Sequence, residues 1–174
     1  MIFSFAAVTL MIITQSCRSG EDAEPQYYFR AKINGQQKDF LKDAKFQADT
    51  ATWQHIIFGG DEKGGEAAQT AIDIEIWNEG GTIVPATYTY QTNGDSPDPM
   101  DYSVDCRYVH QTSNGSIVYD SYETENFHFT ITEMSAEKGI RGTFTGTVSS
   151  FDVPGQILTV ENGEVYLPYN TFVN

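Results

Sequence analysis

After Pro25 the chain alternates apolar and polar residues with a period of two almost throughout, the signature of strands with one face in a core and one in water. Tyr27, Phe29, Ala31 and Ile33 alternate with Tyr28, Arg30 and Lys32, and Asn34-Gly35 then supplies the dipeptide that best suits a tight hairpin. A return strand through Phe40 to Phe46 is expected. Ile72, Ile74 and Ile76 alternate with Asp73, Glu75 and Trp77, and Phe127, Phe129 and Ile131 alternate with His128, Thr130 and Thr132. From Ile140 to Val148 the inward positions read Ile, Gly, Phe, Gly, Val, and the in-phase glycines imply a bend or a close sheet contact. Turn signals stand at Gly59-Gly60, Gly64-Gly65, Gly80-Gly81, Asn93-Gly94, Asn114-Gly115 and Asn162-Gly163. Helical periodicity is confined to one turn at most, at Glu133 to Lys138. Roughly ten strands at this spacing predict an all-β fold, an antiparallel β-sandwich, with a partly closed lipocalin-like β-barrel as the alternative. No repeat or linker divides residues 26–174, which read as a single β domain.

The residues before this domain have a different character. Met1 to Ile13 form an apolar run without charge, followed by Thr14, Gln15, Ser16 and Cys17. As a helix that run would span about 20 Å, short of the roughly 30 Å hydrocarbon core, so residues 1–16 read as a signal peptide rather than a permanent anchor. The missing positive n-region implies a start codon upstream of Met1. Ser16-Cys17 at the end of an apolar run resembles the lipobox of bacterial lipoproteins, although Gln15 departs from the usual small residue. The resemblance implies lipidation at Cys17, and two or more acyl chains hold a protein on its membrane. The stretch to Pro25 is polar and acidic, and residues 17–25 read as the lipidated cysteine and its tether. Glu21, Asp22 and Glu24 resemble the acidic surface-export signals of Bacteroidetes lipoproteins, set slightly far from the cysteine.

All ten Lys and Arg and all 24 Asp and Glu follow Cys17, so the domain carries the whole formal charge of −14. Such a surface repels nucleic acid and anionic headgroups, which leaves the acyl chains as the link to the membrane. Cys106, the other cysteine, alternates in phase with Tyr102, Val104 and Tyr108 and is expected as a buried structural thiol.

The order of an early Asn-Gly hairpin, GTIVPATYTY at Gly81 to Tyr90, GIRGTFTGTV at Gly139 to Val148 and a closing LTVENGEVYLPY resembles a group of uncharacterised Bacteroidetes lipoproteins. The likeness implies an all-β fold and a cell-envelope location, anchored by lipid to the outer membrane on its periplasmic or cell-surface side. It implies no activity.

Chemical motifs are sparse. Asp95, Asp98 and Asp101 lie in an acidic loop that lacks the alternation of an EF-hand and is stiffened by Pro97 and Pro99, so a solvated loop is the reading. His55, His110 and His128 fall in separate strands without zinc-site spacing, and no metal or cofactor is expected. The nucleophile elbow G-x-S-x-G is missing, so an enzyme is not expected; a glycosidase pair among the carboxylates would need facing geometry. Arg30, Lys32, Lys38, Lys42 and Lys45 gather in the first hairpin, where they are expected to guard a sheet edge, with contact to an acidic partner as the alternative. Asp49-Thr50-Ala51 resembles an O-glycosylation motif of Bacteroidetes periplasmic proteins. Three aromatics fall on polar faces: Tyr28, Trp77 and Trp53. Rings in such positions stack on sugars or fill a partner's pocket, and a contiguous patch of the three would mark a ligand face. The functional expectation is a lipid-anchored, non-enzymatic binding or structural module that recognises a glycan or a protein. A lipocalin-like carrier of a small apolar ligand is the alternative, and a hydrolase the third reading.

Overall fold

The computed structural model describes residues 26–49, 51–62, 70–78, 81–89, 102–122, 124 and 126–173. Eleven strands follow one another: β1 (Tyr28–Ile33), β2 (Gln36–Asp39), β3 (Lys42–Ala48), β4 (His55–Asp61), β5 (Thr70–Asn78), β6 (Thr87–Thr89), β7 (Tyr102–Thr112), β8 (Gly115–Asp120), β9 (His128–Ser135), β10 (Gly139–Ser150) and β11 (Ile157–Leu167). The described residues contain no helix.

Hydrogen bonding joins the strands in the order β2-β1-β11-β10-β8-β7-β5-β4-β3, with β9 on β10 and β6 on β9. Every strand pair is antiparallel. β10 is the corner. Its residues from Gly139 to Thr145 pair with β9, whereas Ser149 and Ser150 pair with β8, so one strand serves two layers. A bulge between Phe144 and Gly146 permits the change of direction. A Cβ on Gly146 would lie 2.6 Å from the Cα of Phe127, which confirms the expected close contact at this glycine.

The layers meet through rings. Phe29 of β1 touches Phe58 of β4 at 5.9 Å between centroids, Phe58 touches Phe129 of β9 at 4.8 Å, and Phe129 stacks on Phe144 of β10 at 6.1 Å. These side chains are 3% exposed or less, so the interior is a solid core rather than a ligand chamber. The sheet path ends at β2 and β3 without closing, and the barrel alternative gives way to the sandwich. Beyond β11 the chain runs beside β3, where Asn170 N–H donates to Phe46 C=O at 2.7 Å and Val173 N–H to Ala44 C=O at 2.8 Å.

Several turn signals take other roles. Asn34-Gly35 does form the first hairpin, with φ of 47° and 76°, and Asn114-Gly115 joins β7 to β8. The return strand, however, stops at Asp39. The Asp39 carboxylate accepts the Leu41 N–H at 3.2 Å, Phe40 drives into the core against Phe29 and Tyr108, and the chain leaves to build β3 at the far end of the path. Gly59-Gly60 lies inside β4, because the Phe40 carbonyl and Ala44 occupy the space a Gly60 Cβ would need. Asn162-Gly163 lies inside β11, where Asn162 at φ 50° forms part of a bulge opposite Thr145. Of the segment Gly81 to Tyr90, which is described as far as Thr89, only Thr87–Thr89 form a strand, β6. Pro85 lacks an N–H, and the Tyr88 hydroxyl accepts from Val84 N and donates to Val84 O, curling the preceding residues into a loop.

The basic residues of the first hairpin are divided: Arg30 and Lys32 lie on β1, which is paired on both sides, and the other three on the terminal strands. Lys38 on β2 is half-buried and pairs with Glu62 at 2.9 Å, while Lys42 and Lys45 lie on β3. Gly64-Gly65, Gly80, Asn93-Gly94, Thr50, the Asp95, Asp98 and Asp101 loop, and Cys17 with the leader lie outside the described residues.

Candidate functional site

Because β3, β4, β5, β7 and β8 turn their apolar side chains inward, their alternate positions form one continuous outer face. Pairing sets it out in rows. Lys45, Gly59, Asp73, Arg107 and Asp120 follow one another across the five strands, beside Gln47, Ile57, Glu75 and Asp105. His55 lies opposite Trp77 at the end of the β4–β5 ladder.

Trp77 is 41% exposed. Its ring stacks on His55 at 3.7 Å between centroids with 15° between planes, and His55 Nε2 lies 3.6 Å from the Glu75 carboxylate. The imidazole thus holds one face of the indole and limits the rotation of an exposed side chain. Along the sheet from this stack is a shallow depression of about 210 Å³, lined by Asp43, Lys45, Gln47, Ile57, Asp61 and Asp73. Gly59 forms its floor, and a Cβ there would collide with the Asp73 carboxylate. Crowding against the sheet pushes the Asp73 carboxyl up; Arg107 opposes this, and Glu75 and Asp61 add to it.

At the other side of the face Asp105 and Asp120 share a hydrogen bond. Ser121 Oγ donates to Asp105 Oδ1 at 2.9 Å and accepts the Cys106 N–H at 2.9 Å, while Asp120 accepts the Tyr122 N–H at 2.8 Å. Arg107 Nε lies 3.6 Å from Asp120. Burial, then the Asp120 charge and the shared hydrogen bond, push the Asp105 carboxyl up to about 6, against the opposing pull of Ser121 and Arg107. The carboxylates that a hydrolase would need do converge here. Their oxygens, however, are already engaged by Ser121 Oγ, the Tyr122 N–H and Arg107, contacts that build the sheet.

The three aromatics singled out from the sequence are not brought together. Trp53 is half-buried and packs against Phe46 and Tyr169 at 6.4 and 5.8 Å, with its carbonyl accepting the Ile83 N–H. Tyr28 lies on the outer face of the opposite layer, edge-on to Tyr166 at 6.0 Å and beneath the Arg30 guanidinium at 5.2 Å. The contiguous patch is therefore replaced by a single exposed indole among polar residues. Alternation identified an outward position for Trp77 but not its neighbour, because His55 meets it only through the pairing of β4 with β5.

Cys106 is fully buried, and burial raises its thiol well above the usual range, as suits a structural cysteine. The histidines occupy β4, β7 and β9, and no group of three or more His, Cys, Asp or Glu able to hold a metal occurs among the described residues. No protein-family model, curated protein or solved structure matches the chain.

Proposed function

We propose that the protein is a lipid-anchored recognition domain of the bacterial cell envelope that binds glycan chains on the Trp77 face without transforming them. The observation that carries this reading is the exposed Trp77 ring, fixed by its stack on His55 beside a glycine-floored depression with carboxylate, amide and ammonium groups at its rim. An indole face binds the C–H side of a pyranose, and the rim supplies hydrogen bonds to its hydroxyls. The carrier reading draws no comparable support, because the space it needs is filled by Phe29, Phe58 and Phe129. A protein partner would use the same ring as an anchor.

In titrations of the full chain with soluble envelope polysaccharide, Trp77→Ala is expected to weaken binding at least tenfold, about 1.4 kcal/mol. His55→Ala should weaken it less, by freeing the indole. Unchanged affinity in the Trp77 variant overturns the site. Mass spectrometry of the mature N-terminus tests the tether: an acylated Cys17 is expected, and an unmodified cysteine or cleavage elsewhere refutes the anchor.

A further inference from the structure

We infer a second binding site, for an uncharged saccharide, in the threonine-lined depression on the outer face of β9, β10 and β11. It lies on the layer opposite Trp77 and stands independently of the proposed function.

The depression has a volume of about 480 Å³ and is lined by His128, Thr130, Thr143, Thr145, Asn162 and Glu164. That is within the usual range of roughly 300–1,000 Å³ for small-molecule sites. Its shape follows from the backbone. The β10–β11 ladder shifts register at Phe144 to Gly146, and Asn162 takes φ 50° on the facing strand, so the sheet bends where Thr145 and Asn162 meet.

Strand pairing arrays the hydroxyls. Thr87, Thr130 and Thr143 form one row across β6, β9 and β10, and His128 and Thr145 form the next. The Thr87 and Thr130 hydroxyls bond to each other at 2.9 Å, and Thr145 Oγ1 donates to Val160 C=O at 3.0 Å, so each is held in place with acceptor capacity left over. Within a row, neighbours on adjacent strands stand about 4.8 Å apart, and successive rows lie about 6.7 Å apart along the strands. A two-dimensional set of oriented hydroxyls, an imidazole and an amide matches the alternating donors and acceptors around a pyranose, and the threonine methyls offer contact to its C–H face.

Charge selects the ligand. Glu164 is the carboxylate of the depression, and Arg30 already engages it through Nε at 2.9 Å and Nη2 at 2.6 Å. In a chain of net charge −14 this groove therefore presents a neutralised surface, with no spare ion to offset a charged ligand's loss of water. An uncharged saccharide meets no such cost.

The test is a series of ¹⁵N-edited NMR titrations of the full chain with cellohexaose, maltohexaose and mannohexaose, and with an acidic oligogalacturonate. At least one neutral hexasaccharide should shift the amides of Thr130, Thr143 and Thr145. The Thr143→Val/Thr145→Val double variant should weaken that binding about tenfold while its melting temperature stays unchanged, and Trp77→Ala should leave it intact. The site is overturned if no neutral hexasaccharide moves those amides, if the double variant binds as the parent does, or if oligogalacturonate moves them more strongly. Saccharide binding that moves only amides around Trp77 also overturns this site, while leaving the first one standing.

Discussion

Phe58→Ala is expected to destabilise the fold by about 3–5 kcal/mol, the usual cost of removing a buried phenyl ring whose site cannot collapse. Phe58 of β4 is 1% exposed and packs across the layers against both Phe29 of β1 and Phe129 of β9. Its ring therefore joins β4 to both β1 and β9, and the strand backbones around it are fixed by their ladders and cannot close the gap. For a chain of this size each kcal/mol moves the melting temperature by about 2–4 °C, so calorimetry should show a fall on the order of 10 °C. Urea unfolding should show a lower midpoint with little change in slope. The same variant bears on the carrier reading. A hollow interior would leave Phe58 with few partners across the layers, and the loss would stay below about 2 kcal/mol.

This core was legible in the sequence because its information is local. A period of two fixes which of Phe29, Ile74 or Phe129 turns inward, whichever strands later become neighbours. Long-range placement was not legible in that way. Gly59-Gly60 and Asn162-Gly163 have the composition of turns, and what makes them strand interior is Phe40 and Ala44 against Gly60 and the bulge opposite Thr145, contacts made by residues distant in sequence. The candidate site divides along the same line. An outward Trp77 follows from alternation, whereas its stack on His55 requires the β4–β5 register, and the burial of Trp53 requires Tyr169 from the last segment of the chain. The Asp105–Asp120 pair had no sequence signal, since carboxylates fifteen positions apart meet only when β7 and β8 form their hairpin.

That pair leads to an unusual dependence of stability on pH. The Asp105 carboxyl is faced by Asp120 at the end of β8 and Ser121 just after it, by Glu75 opposite it on β5 and by Arg107 of its own strand. Folding raises it from the ordinary aspartate value of about 3.9 to about 6. A folded-state pKa above the unfolded one means that the folded protein holds the proton more tightly. The associated stability is then fully present below about pH 4 and is lost as pH rises through about 6. The full rise corresponds to about 3 kcal/mol, and partial solvent contact reduces the expected effect to about 2 kcal/mol. Asp105→Asn removes the titration while keeping an oxygen for Ser121 Oγ and an N–H for Asp120. The variant should match the parent near pH 4 and exceed it by about 2 kcal/mol at pH 8 in urea unfolding, with the difference growing between those values. A difference that is constant with pH, or a variant less stable at pH 8, would mean that the two carboxyls do not share a proton in the folded protein. The expected gain also locates a cost within the fold: at neutral pH the Trp77 face keeps a like-charge contact that a single amide would relieve, next to the Arg107 that now offsets only part of it.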